Sequence, residues 1–211
     1  MAARIDAWPN LVTMFLDRAD EHGARPLLSK KVGGVWTAQS WAECRDTVAS
    51  LSAALVALGI GKGDRVMLVS ENRPEWCMSD LAIMAVGAIT VPAYTTNTTA
   101  DHAHILGNSG AKAVIVSNPK LAAALLPAVA DSDVCRIVIG IDHLKDAQRG
   151  TLAVHQMAAL IEARQADLVA DRAALRARAT MERHDLACII YTSGTGGAPR
   201  GVRQHHGAIM R

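Results

Sequence analysis

Aromatic side chains are scarce in this sequence: one Phe, two Tyr and four Trp among 211 residues. Half of the residues are apolar all the same, so the core must be built from Ala, Val, Leu and Ile, small side chains that let elements pack closely. Charge of one sign is not in excess either. Lys and Arg total 22 against 20 Asp and Glu, spread along the chain. That excludes the clustered basic face of a nucleic-acid binder, and no nucleic-acid partner is expected. No C-x-x-C pair occurs. Cys44, Cys77, Cys135 and Cys188 lie far apart in apolar settings and read as reduced core thiols of a cytoplasmic protein, not as disulfides or metal ligands.

A long hydrophobic run is absent as well. The first residues, MAARIDAWPN, are interrupted by Asp6 and Pro9 and lack the core of a signal peptide. Residues 81–100 carry no charge over a length that can span a bilayer. Gly87, Pro92, Asn97 and several threonines break that reading into a buried helix, a buried strand and a polar loop. There is no internal repeat and no low-complexity linker, so residues 1–211 read as one unit without an internal boundary.

What is present is an alternation of short apolar runs and helical patterns. Residues 27–37 place β-prone runs around Gly33-Gly34, the signal of a tight hairpin. Ser40 and Glu43 form a capping box ahead of Trp41, Cys44, Val48, Leu51, Leu55 and Leu58, spaced by three and four, and Gly59 closes that helix. RVMLVS then reads as a strand covered on both faces. Pro74 opens a mostly buried helix, ITVPAY is a strand, and DHAHILGNSG is a short helix. KAVIVS, a helix over 119–130, and the strand CRIVIGI follow. Residues 152–179 lie in the stretch between Gly150 and Gly194 that has neither Gly nor Pro; rich in Ala, Leu and Arg, they read as helical. LACIIY is the last strand. This order predicts an α/β fold with a largely parallel, helix-covered sheet.

The last strand runs into the most informative stretch, IIYTSGTGGAPRGV, residues 189–202. Glycines let successive backbone N–H groups turn toward one anion, hydroxyls add donors, and Arg200 adds a planar cation. On composition alone this is either an anion nest or an ordinary surface loop. It is not a Walker loop, because Pro199-Arg200 stands where Gly-Lys belongs. Gly59, Gly61 and Gly63 are not a dinucleotide fingerprint either, because they lead from a helix into a strand.

YTSGTGGAPRGV closely resembles the signature loop of the adenylate-forming enzymes, the acyl-CoA ligases, peptide-synthetase adenylation domains and luciferases. The usual form of that loop is Y-T-S-G-T-T-G-x-P-K-G-V, from which this chain departs at Gly196 and Arg200. ALGIGKGDRVMLVSENRPEW and IMAVGAITVPAYTTNTTADHAHILGNSGAKAVIVS are similar to the N-terminal region of the same family in order and spacing. VPAYTTNT and its surroundings look most like the long-chain fatty acyl-CoA ligases.

The resemblance covers nearly the whole chain and implies the N-terminal part of the large domain. The loop would hold the β and γ phosphates of ATP while a fatty-acid carboxylate attacks the α phosphate, and coenzyme A would later displace AMP. Thr192, Ser193 and Thr195 would supply hydroxyls, Gly194, Gly196 and Gly197 backbone donors, and Arg200 the cation, with Gly201 also among the cofactor-binding residues. Thr195 would lie near Mg2+. The loss of a hydroxyl at Gly196 and of the usual lysine at Arg200 changes the grip. His206 falls where the family carries a histidine, at the start of the next helix on the acyl-binding side. The adjacent His205 reads as solvent-facing or helix-capping. His102 and His104, two apart, point away from each other on a helix and are not expected to bind metal.

The family's adenine-binding segment, magnesium-binding glutamate, ribose-binding aspartate and C-terminal lysine are not found in residues 1–211, so no catalytic residue is assigned. The expectation is a domain truncated after the phosphate loop and inactive alone. The alternatives are a non-catalytic nucleotide- or partner-binding fragment, and one half of a split enzyme completed by a second polypeptide. The parent enzyme is expected in the cytoplasm, with peripheral membrane association left open. Parallel strands need covered faces and paired edges. Light scattering and thermal melting at micromolar concentration should therefore show self-association or weak stability; a monodisperse, cooperatively melting monomer would contradict this.

Overall fold

The computed structural model describes residues 7–145, 152–192 and 198–211. Asn10 starts helix α1 (Leu11–His22), its side-chain oxygen accepting from Thr13 N–H at 2.8 Å. Strands β1 (Pro26–Val32) and β2 (Val35–Ser40) form an antiparallel hairpin with Val32 opposite Val35. Gly33 and Gly34 turn it with φ of 58° and 86°, values that glycine adopts without a Cβ penalty. Helix α2 (Trp41–Ala57) opens with the capping box read from the sequence. Ser40 Oγ accepts from Glu43 N–H at 3.2 Å and Glu43 Oε2 accepts from Ser40 N–H at 2.7 Å.

The main sheet follows. Its elements are β3 (Arg65–Val69), α3 (Pro74–Ala85), β4 (Ile89–Ala93), α4 (Thr99–Ser109), β5 (Ala113–Val116), α5 (Pro119–Ala130) and β6 (Ile137–Gly140). Next come β7 (Val154–Gln156), α6 (Met157–Glu162), a short 3-10 turn (Gln165–Asp167), α7 (Leu168–Arg178), β8 (Leu186–Thr192), β9 (Arg200–His205) and α8 (His206–Ile209). Among the described residues the strands lie in the order β7, β6, β5, β3, β4, β8, β9. Every neighbouring pair is parallel except β8 with β9.

Strand β3 shows how the layers form. Val66 and Leu68 face a core that includes Val48, Leu51 and Leu55 of α2 and Ile83 of α3. Met67 and Val69 face the opposite core, with Ile105 of α4 and Leu125 and Val129 of α5. All four strand residues are fully buried, the alternation of a strand covered on both faces. Residues 81–100 end one helix and form β4, and among the described residues no helix is long and apolar enough to cross a membrane. The four cysteines are unpaired. Burial pushes the Cys44, Cys135 and Cys188 thiols up to about 11.

Residues 152–179 correct the helical expectation. Val154, His155 and Gln156 add a parallel strand beside Val138, Ile139 and Gly140, and two separate helices follow. Open backbone groups on β6 outweigh the propensity of an Ala-rich stretch. The helices are then held by burial of Met157 and Leu175 and by Asp171, which is 3% exposed and receives Arg164 Nε and Nη2 at 3.0 and 2.6 Å.

Asn10 ties the start of α1 to the segment that follows α7. Its Nδ2 donates to the carbonyls of Met181 at 2.7 Å and Ala179 at 3.2 Å while its Oδ1 caps α1, and the residue is fully buried. Asn10→Ala removes the cap and leaves both carbonyls short of a donor. Urea denaturation should show a loss of about 3 kcal/mol; a loss within error of zero would mean that this junction does not hold the fold.

Candidate active site

Strand β8 carries the glycine- and hydroxyl-rich stretch to the carboxyl edge of the sheet. It pairs in parallel with β4 through Thr90 and Cys188. Its other edge pairs antiparallel with β9, with Thr192 opposite Arg200, Tyr191 opposite Gly201 and Ile190 opposite Val202. The segment from 192 to 201 thus differs from the simple loop read in the sequence. Thr192 ends one strand while Arg200 and Gly201 begin the next, and a cross-strand pair closes the connection between them. Ser193, Gly194, Thr195, Gly196 and Gly197 lie outside the described residues.

Both closing side chains, Thr192 and Arg200, are exposed. Among the described residues the Arg200 guanidinium takes part in no hydrogen bond or ion pair. Gly201 is required by packing. A Cβ there would lie 2.8 Å from Ile189 Cγ2 and 3.1 Å from the Tyr191 ring, so the glycine lets β9 close against the ring that β8 buries.

Helix α4 braces the two ends of the connection. The Tyr191 hydroxyl donates to Asn108 Oδ1 at 2.6 Å, and His104 Nε2 lies 2.8 Å from the Pro199 carbonyl oxygen. The sequence reading did not assign these two residues to the site. Their signal was available in the four-residue spacing of His104 and Asn108, which puts both on one helix face. His102 points the other way into the core, 2% exposed, where burial lowers its pKa.

Ligands of parallel α/β sheets bind outside the carboxyl ends of the strands. There a cleft of about 240 Å³ is lined by Asn72, Trp76, Pro92, Tyr94, Ile190 and Tyr191, next to the base of the connection. A larger apolar cleft of about 430 Å³, between α1, α2, α3 and the hairpin, includes no residue of β8 or β9. Among the described phosphate-binding candidates, none of Thr192, Arg200 and Gly201 lines it.

A family model described as AMP-binding enzyme matches residues 15–211. The chain belongs to the AMP-binding enzyme family. A long-chain-fatty-acid–CoA ligase of Mycobacterium tuberculosis, FadD15, is 31% identical over 195 residues, covering 92% of this chain and 31% of that protein. Peroxisomal long chain acyl-CoA synthetase 7 of Arabidopsis thaliana is 29% identical over 181 residues, covering 84% of this chain and 25% of that protein. The chain therefore spans about a third or less of the length of these relatives. The adenylation domain of a carboxylate reductase from Mycobacterium chelonae shares the fold, with a TM-score of 0.77 at 19% identity over 95% of this chain and 35% of that one. So does an anthranilate CoA ligase solved with anthranoyl-AMP, with a TM-score of 0.73 at 20% identity over 97% of this chain and 36% of that one.

The described residues contain no group of three or more His, Cys, Asp or Glu placed to hold a metal ion. Thr195, the residue the resemblance puts near magnesium, lies outside them. No ligand set for that ion is thus defined among the described residues.

The two histidines after the loop have distinct settings. His205 caps α8, its Nδ1 accepting from Ala208 N–H at 3.0 Å. The Arg183 carbonyl, itself an acceptor, lies 2.9 Å from the same nitrogen. His206 is 1% exposed, its Nδ1 accepting from Leu11 N–H at 3.4 Å.

Burial pushes His206 down from 6.5 to about 4. Between those values the unfolded chain takes up a proton that the folded chain refuses, so stability falls as pH drops from 6.5 toward 4. The full effect is about 3 kcal/mol. His206→Phe should flatten that part of the stability profile, read as urea midpoints at several pH values from neutral to acid. An unchanged slope would show that His206 titrates alike in both states.

Proposed function

We propose that the whole protein activates a long-chain fatty acid with ATP and passes the acyl group to coenzyme A, and that this chain supplies the grip on the ATP phosphates. The observation that carries the reading is the connection between β8 and β9. A run of hydroxyls and glycines is closed at its base by the Thr192–Arg200 pair, with the Arg200 side chain exposed. Membership in the AMP-binding family and the names of the relatives support the substrate class.

In this reading a carboxylate oxygen of the fatty acid attacks the α phosphorus of ATP. A new P–O bond forms, the bond from the α phosphorus to the bridging oxygen breaks, and pyrophosphate leaves with the electron pair. This chain positions the polyphosphate and stabilises charge on the departing group. Thr192, Ser193 and Thr195 would donate through hydroxyls, Gly194, Gly196 and Gly197 through backbone N–H groups, and Arg200 through its guanidinium. The thiolate of coenzyme A then attacks the acyl carbonyl, and AMP leaves. His206 remains the candidate on the acyl side.

A charge-assisted contact from Arg200 predicts that Arg200→Ala weakens ATP binding by the whole protein about 10- to 100-fold. Arg200→Lys should retain most of the affinity, because the charge stays while the fork is lost. Fatty-acid-dependent exchange of pyrophosphate into ATP should appear with the whole protein and be absent from the 211-residue chain alone. ATP affinity unchanged by Arg200→Ala would remove the assigned role.

A further inference from the structure

Helix α4 holds both ends of the connection through different atoms. At the entering end, Tyr191 stands two residues before Ser193, is 4% exposed, and donates its hydroxyl to Asn108 Oδ1 at 2.6 Å. At the leaving end, the carbonyl of Pro199 lies 2.8 Å from His104 Nε2. A carbonyl oxygen only accepts, so the ring must carry its proton on Nε2. The same imidazole meets the Tyr191 ring edge-on, with centroids 6.2 Å apart and planes at 88°. One side chain therefore touches both ends of the connection.

Two features make that contact matter. Proline has no N–H to give to a ladder, and the strand pairing begins only at Arg200. The carbonyl is therefore the one backbone hydrogen-bonding group that Pro199 offers to the body of the protein. It also belongs to the peptide unit that joins Pro199 to Arg200, so its direction sets how the Arg200 backbone enters β9.

The helix that supplies the donor is fixed at both termini. Thr98 and Asp101 form a capping box. Arg65 donates from Nε to the Ser109 carbonyl at 2.7 Å and from Nη2 to the Gly110 carbonyl at 2.8 Å. The His104 ring thus projects from a clamped element onto the leaving end of the connection.

We propose that His104 is a positioning residue for the phosphate grip. By donating from Nε2 to the Pro199 carbonyl it holds the Pro199–Arg200 peptide and so fixes where the Arg200 side chain departs from the strand. This inference rests on the reading of the connection as the phosphate-holding loop. His104 acts through Pro199, and it does not itself touch the nucleotide.

The test measures binding of ATP, inorganic pyrophosphate and AMP to the intact protein by calorimetry, for wild type, His104→Phe, His104→Gln and Arg200→Ala, with a thermal melt of each. Phe keeps a ring against Tyr191 without the donor, and Gln restores an N–H donor. His104→Phe should weaken ATP and pyrophosphate about tenfold, the loss of one hydrogen bond, and leave AMP and the melting temperature unchanged. His104→Gln should recover most of the affinity.

If Arg200→Ala weakens ATP and His104→Phe does not, the phosphate reading stands and the role of His104 is overturned. If the wild type binds neither ATP nor pyrophosphate, or Arg200→Ala binds them as wild type does, the phosphate reading fails and the inference falls with it. Equal losses for AMP and ATP, a lowered melting temperature in His104→Phe, or no recovery in His104→Gln would mark a general structural role and overturn the proposal.

Discussion

Parallel strands cannot be joined by tight turns, so each return to the sheet needs a crossover, and the crossovers end up covering both faces. That constraint governs this chain. Val66 and Leu68 must meet α2 and α3 while Met67 and Val69 meet α4 and α5, and no position of the strand over 66–69 is left to face water. Because β3 to β8 run the same way, their carboxyl ends share one edge of the sheet. The stretch that follows Tyr191 is delivered to that edge, where loops can carry chemistry without disturbing the core.

The one antiparallel strand changes what the edge can do. Pairing of Thr192 with Arg200 gives the glycine- and hydroxyl-rich connection defined ends. Packing completes the restraint. Gly201 leaves room for the buried Tyr191 ring, and α4 reaches Tyr191 through Asn108 and Pro199 through His104. Arg200 at the base of this hairpin begins a strand paired with β8 and follows a carbonyl that α4 contacts.

Local signals were legible wherever one residue type is required by one geometry. The turn at Gly33-Gly34, the box formed by Ser40 and Glu43, and Pro74 at a first helical position all stand where their chemistry places them. Helix α1 was not legible, since its cap Asn10 owes much of its place to carbonyls some 170 residues away in sequence. Strand β7 was misread as helix because its Ala-rich neighbourhood favours one and only the open edge of β6 demands the other. Strand β9 was hidden for a related reason. Arg200, Gly201, Arg203 and Gln204 have little strand character, and pairing with β8 decides their conformation.

The sequence by itself determined much of the alternation of strands and helices, the two-sided burial of β3, and the glycine- and hydroxyl-rich composition of the loop, because periodicity, capping and composition are properties of neighbours along the chain. Only the tertiary structure decided that Thr192 faces Arg200, that Gly201 serves the Tyr191 ring, that His206 is buried against Leu11, and that His104 and Asn108 bind the ends of the loop. Those relations join residues far apart in the chain, and each depends on a hydrogen bond or a close contact that exists once the sheet has brought its elements together.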